Sequence, residues 1–366
     1  MSRRQFLQRT AASGAAALAT GAALAQTAAP AVTSGPQIRW RMTSSFPKSL
    51  DALFGAGELI ARRVAAATGG RFEIRTFAPG ELVPALQVVD AVQNDTVEMG
   101  YTAGYYYVGK DPSFAFDTAL PFGLNTRQMN AWMMHGGGDK LMGDFFRQYN
   151  IKAIPAGNTG AQMGGWYRKE FNTVADLKGL KFRIAGFAGQ VLSRLGAVPQ
   201  QIPASDIYPS LEKGTIDAAE WVGPYDDEKL GLAKVAKYYY YPAFWEGNAQ
   251  LSLYINMKQW ESLPSEYQNV LEMACAEALV WSTARYDALN PPALKRLLAN
   301  GAVLRPFPRV VMEAAYKEAQ ALYAETAAKN EGFHKIYESW NKFRLDEVQW
   351  FRVAENSYDN FMASIK

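Results

Sequence analysis

In Gly179-Leu180-Lys181-Phe182-Arg183-Ile184-Ala185-Gly186-Phe187, the apolar Leu180, Phe182 and Ile184 alternate with Lys181 and Arg183. This period of two marks a strand. Gly186 and Gly189 then turn the chain into 190–195, whose spacing predicts a helix. An arginine near the end of a strand, facing a helix N-terminus, is well placed to hold a carboxylate. The guanidinium offers a planar pair of donors, and the helix end adds unpaired N–H groups. Arg183 is therefore the candidate clamp for a small organic acid; a surface arginine on a solvated strand is the competing reading.

Strands and helices alternate on both sides of this stretch. Toward the N-terminus, 37–43, 72–77 and 97–101 read as strands, with helices expected over 51–67 and 85–93. A second run of the same plan covers strands at 151–156, 166–167, 180–184 and 216–221, a helical turn at 173–177 and a helix at 207–213. Such alternation indicates α/β lobes with parallel pairing. Segment 90–100 echoes 209–219: each is a helix end, a tight turn, then Thr, an aliphatic residue and an acid. Two lobes of similar plan, each presenting strand ends to a common cleft, would explain that echo. Beyond one more strand at 251–256 the chain reads as helical, in segments 265–290, 292–300, 308–330 and 332–366.

The N-terminus, Met1-Ser2-Arg3-Arg4-Gln5-Phe6-Leu7, followed by an Ala/Gly-rich stretch and Ala23-Leu24-Ala25, has the form of a twin-arginine export signal over 1–25. That stretch is a poor membrane anchor, lacking a long Leu/Ile/Val run. The chain carries 38 Lys+Arg against 35 Asp+Glu, and removing Arg3, Arg4 and Arg9 leaves 35 against 35. A near-neutral mature protein argues against nucleic acid or a membrane surface as the main partner. Cys275, the single cysteine, cannot form an internal disulfide and reads as a small buried apolar residue.

Catalytic constellations are missing. His135 and His334 lie near no plausible nucleophile, the Gly136-Gly137-Gly138 loop lacks phosphate-binding spacing, and no Cys/His cluster has metal-ligand spacing. The Asp226-Asp227-Glu228 triplet after Pro224 reads as a solvated helix start. What remains is a binding constellation. Asn158 and Gln162 are two amides in a Gly-rich loop, Glu220-Trp221 close a strand, and Glu246 follows an aromatic run from Tyr238 to Trp245. One amide oxygen and two carboxylates converging would suit Na⁺ or Ca²⁺, which take oxygen ligands.

These features resemble the extracytoplasmic solute receptors of TRAP transporters. The likeness is carried by Pro79-Gly80-Glu81-Leu82, by Val97-Glu98-Met99-Gly100, by the Asp176-Leu177-Lys178-Gly179-Leu180-Lys181-Phe182-Arg183 segment and by 211–221. Glu220-Trp221, Tyr238 to Pro242 and Trp245-Glu246 resemble the subgroup that binds 2-oxo or 2-hydroxy monocarboxylates with a metal ion. The resemblance implies a class II-like periplasmic-binding fold, α/β, with two lobes, a cleft and long C-terminal helices. Lobe I would span 37–153, completed by part of 247–300. Lobe II would span 154–246, completed by part of the C-terminal region. Residues 301–366 would brace the lobes or form a dimer by exchanging the last helix.

By the same resemblance Arg183 pairs with the substrate carboxylate and Asn158 hydrogen-bonds the substrate. Gln162, Glu220, the Trp221 carbonyl and Glu246 hold the cation, Tyr105 or Tyr106 closes on the ligand, and Phe187 lines the pocket. The implied protein is periplasmic and delivers its solute to TRAP permease membrane subunits. Two other readings stay open: a dicarboxylate, sugar acid or amino acid as ligand, with Lys48 or Arg75 as a second positive group, and an exported enzyme using Asp217 and Glu220 as acid–base residues.

Overall fold

The computed structural model describes residues 35–365, so the expected export signal lies outside the described residues. In chain order the strands are β1 (Ile38–Ser44), β2 (Phe72–Phe77), β3 (Met99–Thr102), β4 (Ile151–Asn158), β5 (Trp166–Tyr167), β6 (Lys181–Arg183), β7 (Val198–Gln200), β8 (Ala218–Ala219), β9 (Tyr238–Tyr241), β10 (Gln250–Asn256) and β11 (Val303–Pro306). They form two sheets, ordered β2-β1-β3-β10-β4 and β11-β9-β5-β8-β6-β7.

The sheets share one plan. In the first, β1 pairs in parallel with β2 and β3, and β10 runs antiparallel between β3 and β4. In the second, β6 pairs in parallel with β7 and β8, and β5 runs antiparallel between β8 and β9. The echo noted between 90–100 and 209–219 thus falls on equivalent places, the approaches to β3 and β8. Strand β4 stays in the first sheet as far as Asn158, so the 153/154 division falls inside a strand.

The local chemistry explains the strands. β1 buries Trp40 and Met42 while Arg39 and Arg41 point outward, and Arg41 pairs with Glu98 at 2.6 Å. β10 is buried on both faces: Ser252 and Tyr254 turn their hydroxyls onto the buried Asp117, at 2.9 and 2.6 Å. Three strands were not expected, among them the three-residue β7. β9 is a run of four tyrosines without alternation, and β11 is a four-residue strand between helices.

The segment 265–300, expected to break at Pro291-Pro292, forms one helix, Ser265–Ala299. A helix-interior proline costs about 3 kcal/mol. Here the helix packs against β4 and the helices Leu53–Ala67 and Pro224–Leu230, with Ala293 and Leu297 buried beyond the prolines. The helix Glu331–Val353 buries Phe333 and Trp340 against Phe116, and Phe333 also stacks on Phe187 at 5.6 Å. Among the described residues no helix is long and apolar enough to cross a membrane.

Candidate functional site

Strand direction gathers the predicted residues. β6, β8 and β9 point the same way in the second sheet, and β5 runs against them. Arg183 ends β6, Glu220-Trp221 follow β8, Glu246 lies beyond β9, and Gln162 precedes β5. All therefore lie at one edge, outside the carboxyl ends of the parallel strands, where α/β sheets bind ligands. In the first sheet β3 and β4 are likewise parallel to each other through β10, and Tyr105, Tyr106 and Asn158 sit at their carboxyl ends.

Backbone hydrogen bonds knit the site segments. Gln162 N–H donates to Glu246 O at 3.1 Å, Ala243 N–H to Gln162 O at 3.1 Å, and Met163 N–H to Val222 O at 3.0 Å. Gly165, at φ +89, lies against Glu220: a Cβ there would meet the Ala219 carbonyl at 2.7 Å. Only glycine tolerates both the left-handed backbone and that approach.

Arg183 is buried, 2% exposed. Its Nε donates to Ile202 O at 3.0 Å, and Nη1 donates to Glu220 O at 2.8 Å and to Glu220 Oε1. The guanidinium lies 4.8 Å from the Trp221 ring centroid. This fixes the fork and rules out a surface arginine on a solvated strand. It also corrects the picture of two free prongs, because Nη1 is committed to Glu220. Nη2 makes no protein hydrogen bond among the described residues. The expected turn at Gly186 is in fact the first residue of a helix, Gly186–Arg194, at φ +61, and its missing Cβ admits Tyr105 from the other lobe.

Gln162 shows what the site can hold. One end of its amide lies 2.7 Å from Trp221 O and 2.9 Å from Glu246 Oε2. The other end faces Thr159 Oγ1 at 3.0 Å, and that hydroxyl donates to Gly160 O at 2.9 Å. The Thr159 hydroxyl can accept from the amide nitrogen or donate to the amide oxygen, so the group serves in either orientation. With Oε1 turned toward Trp221 O and Glu246 Oε2, three oxygens converge as a cation requires; without a cation the amide turned over donates to both. Glu220 Oε2 is a further buried oxygen without a partner. Oxygen-only donors including two carboxylates suit a hard ion. Among the described residues no three His, Cys, Asp or Glu side chains form a metal cluster, so carbonyl and amide oxygens are essential to this set.

Electrostatics agree. Burial pushes the Glu220 carboxyl up to about 7 against the pull of Arg183, and burial plus Glu220 raise Glu246 well above the carboxylate range. Burial weighs most on the Arg183 guanidinium, but Glu220, Tyr106, Tyr105 and Glu246 together more than offset it and hold the group charged.

Tyr105, Ala119, Pro121, Phe187, Trp245, Glu220 and Glu246 line a tight void of about 10 Å³ between the lobes, room for roughly one water. Tyr106 does not line it; its carbonyl accepts from Gln201 Nε2 at 3.0 Å, another bond between lobes. Asn158 lies outside it too. Its Oδ1 accepts from Gly160 N–H and Thr126 Oγ1, and Nδ2 donates to Asn248 Oδ1 at 3.0 Å, leaving one N–H. Ala119 and Pro121 escaped sequence reasoning because apolar loop residues carry no chemical signal. Lys48 pairs with Glu81 on the surface and Arg75 covers Phe77 on β2, away from the cavity. Asp217 precedes β8 and accepts from Lys181 N–H, so it lies at the sheet edge opposite Glu220.

The triplet expected to be solvated is not: Asp226 and Asp227 are buried, and only Glu228 reaches the surface, paired with Arg296.

The family model described as bacterial extracellular solute-binding protein, family 7, matches residues 43–330. A monocarboxylate 2-oxoacid-binding periplasmic protein of Nostoc sp. is 52% identical over 329 residues, 90% of each chain. A TRAP transporter solute binding protein of Bordetella bronchiseptica, a mixed-occupancy dimer with copurified calcium and picolinate, superposes with TM-score 0.89 at 53% identity over 90% of this chain and 98% of that one. A TRAP periplasmic solute binding protein of Pseudoalteromonas atlantica with bound sodium and pyruvate gives 0.86 at 38%, over 90% and 100%. The two-lobed α/β fold is theirs as well.

Proposed function

The chain belongs to the bacterial extracellular solute-binding proteins of family 7, and from that premise we propose that it captures a small 2-oxo or 2-hydroxy monocarboxylate together with Na⁺ or Ca²⁺. It releases this solute to TRAP permease subunits. One observation carries the reading: the fixed Arg183 fork and the Gln162, Trp221 and Glu246 oxygens lie at a single sheet edge. Arg183 Nη2 takes the substrate carboxylate. Gln162, the Trp221 carbonyl, Glu246 and Glu220 hold the ion, which supplies a positive partner for the substrate's 2-oxygen. Asn158 offers its remaining N–H, and Tyr105 and Phe187 wall the tail, with Tyr106 behind them.

Charge supports the assignment. Arg183 against Glu220, Glu246 and the substrate leaves a deficit of two, which a divalent ion neutralises and Na⁺ halves. Both lobes touch the ligand, so binding favours the closed form by its greater affinity there. The outward positions of Lys48 and Arg75 favour a monocarboxylate over a dicarboxylate. Placement of Asp217 and Glu220 at opposite edges favours a receptor over an acid–base enzyme. We place the protein in the periplasm after twin-arginine export of a 1–25 signal. Its lobes are built on the two sheets, with the first crossing to the second after Asn158 rather than at 153/154.

A homodimer through the C-terminal helices is supported by exposed Leu345, Val348, Trp350, Val353, Tyr358 and Phe361. A thermal-shift screen of small carboxylates with Na⁺, with Ca²⁺ and with neither tests the function. Pyruvate-like acids should raise the melting temperature most in the presence of cation; a sugar acid or dicarboxylate alone doing so would refute it.

A further inference from the structure

Asp227 is 1% exposed and makes no contact with the cavity that the proposed function uses. Its Oδ2 accepts from Trp166 Nε1 at 3.0 Å and from Tyr239 OH at 2.7 Å, whose rings stack at 4.0 Å. Its Oδ1 accepts, at 3.4 Å, from the backbone N–H of Val222. That N–H belongs to the peptide whose carbonyl is Trp221 O, one of the three oxygens gathered at Gln162. In a trans peptide the C=O and N–H point in opposite directions. A carboxylate held behind the N–H therefore fixes where the carbonyl aims. It also lines up the peptide dipole, with the positive end toward Asp227 and the negative end toward the ion.

We propose that Asp227 is the positioning residue of the cation site: through the Trp221–Val222 peptide it aims the Trp221 carbonyl, and its charge favours a divalent over a monovalent ion. The inference rests on the cation reading above and adds the residue that tunes it. Trp166 and Tyr239 are the frame that keeps Asp227 in place, which gives β5 and β9 a part in ion binding that no pocket residue reveals. In the Asp227→Asn variant an amide N–H₂ must face either the Val222 N–H or the indole and phenol donors, so one side of the frame is lost together with the charge.

The experiment titrates Tb³⁺, a hard ion of Ca²⁺-like coordination, into full-length chelator-treated protein and follows emission sensitised by the neighbouring tryptophans. Ca²⁺ and Na⁺ then compete for the site. Loss of an outer partner of a metal ligand costs about 10- to 100-fold in affinity. Asp227→Asn should therefore weaken Tb³⁺ and Ca²⁺ by at least about tenfold, with Na⁺ falling by less than about threefold. Tyr239→Phe keeps the ring stack and removes one bond to Asp227; it should shift Tb³⁺ in the same direction by about two- to fivefold, and decides the matter if the Asn variant does not fold. Equal loss for all three ions, or unchanged Tb³⁺ affinity in the folded variants, overturns the role of Asp227. Wild-type protein that takes up no Tb³⁺ overturns the cation reading itself, and this inference with it.

Discussion

Glu246→Gln should push stability and binding in opposite directions. Glu246 is buried, its Oε2 lies 2.9 Å from the Gln162 amide, and burial first, then the Glu220 charge, pushes its carboxyl up. In cation-free protein the neutral amide removes the cost of burying that carboxyl beside Glu220, a gain of about 1–3 kcal/mol. The melting temperature should rise by about 2–6 °C. In loaded protein the same change deletes an anionic ligand. A carboxylate about 4 Å from a divalent charge gains roughly 8 kcal/mol at an effective dielectric near 20, and desolvation takes back the larger part. A net loss of about 2–4 kcal/mol remains, roughly 30- to 700-fold in Ca²⁺ affinity. Differential scanning fluorimetry in chelator, paired with calorimetric Ca²⁺ titration, reads both. A variant that melts lower without cation and binds Ca²⁺ as well as wild type would refute the reasoning.

Three other outcomes are expected. Arg183→Ala leaves Glu220 and the substrate's charge without their partner and should cost about 3–5 kcal/mol of carboxylate affinity; unchanged calorimetric affinity for every carboxylate would disprove the clamp. Burial pushes Glu220 and Asp226 up to about 7, and Asp117 and Asp227 to about 6. The native state then holds more protons than the unfolded chain across roughly pH 4.5 to 7, so cation-free stability falls as pH rises through that window. Urea midpoints should decline from about pH 5 to pH 7.5, less steeply with cation and carboxylate bound; a rising cation-free midpoint would contradict this. Trp350→Glu puts a charge into the exposed apolar stripe, where Trp350 is 58% exposed; light scattering should find monomers, and a persisting dimer would place the interface elsewhere.

Legibility in the sequence followed how many faces of each element are buried. β1 and β2 show alternation because one side meets solvent, and Arg183 stood out because a charged residue interrupted an apolar strand end. Tyr238 to Tyr241 hid β9, since the same residue type serves both faces. β7 and β11 span three and four residues, too few for periodicity, and are held by pairing to β6 and β9. Asp226 and Asp227 looked solvated because acids after a proline usually are. Only the fold brings Tyr286, Tyr239 and Trp166 to them as donors, at 2.7, 2.7 and 3.0 Å. The oxygen cluster at Gln162 was legible as residue types, while its backbone member, Trp221 O, carries no side-chain chemistry and came only through resemblance.

The most direct measurement is calorimetric titration of pyruvate into the purified protein in three buffers: with Ca²⁺, with Na⁺ and chelator, and with choline and chelator. The account predicts binding with either ion, tighter with Ca²⁺, and a loss of at least about 100-fold when both are withheld. Equal affinity in all three buffers would contradict it.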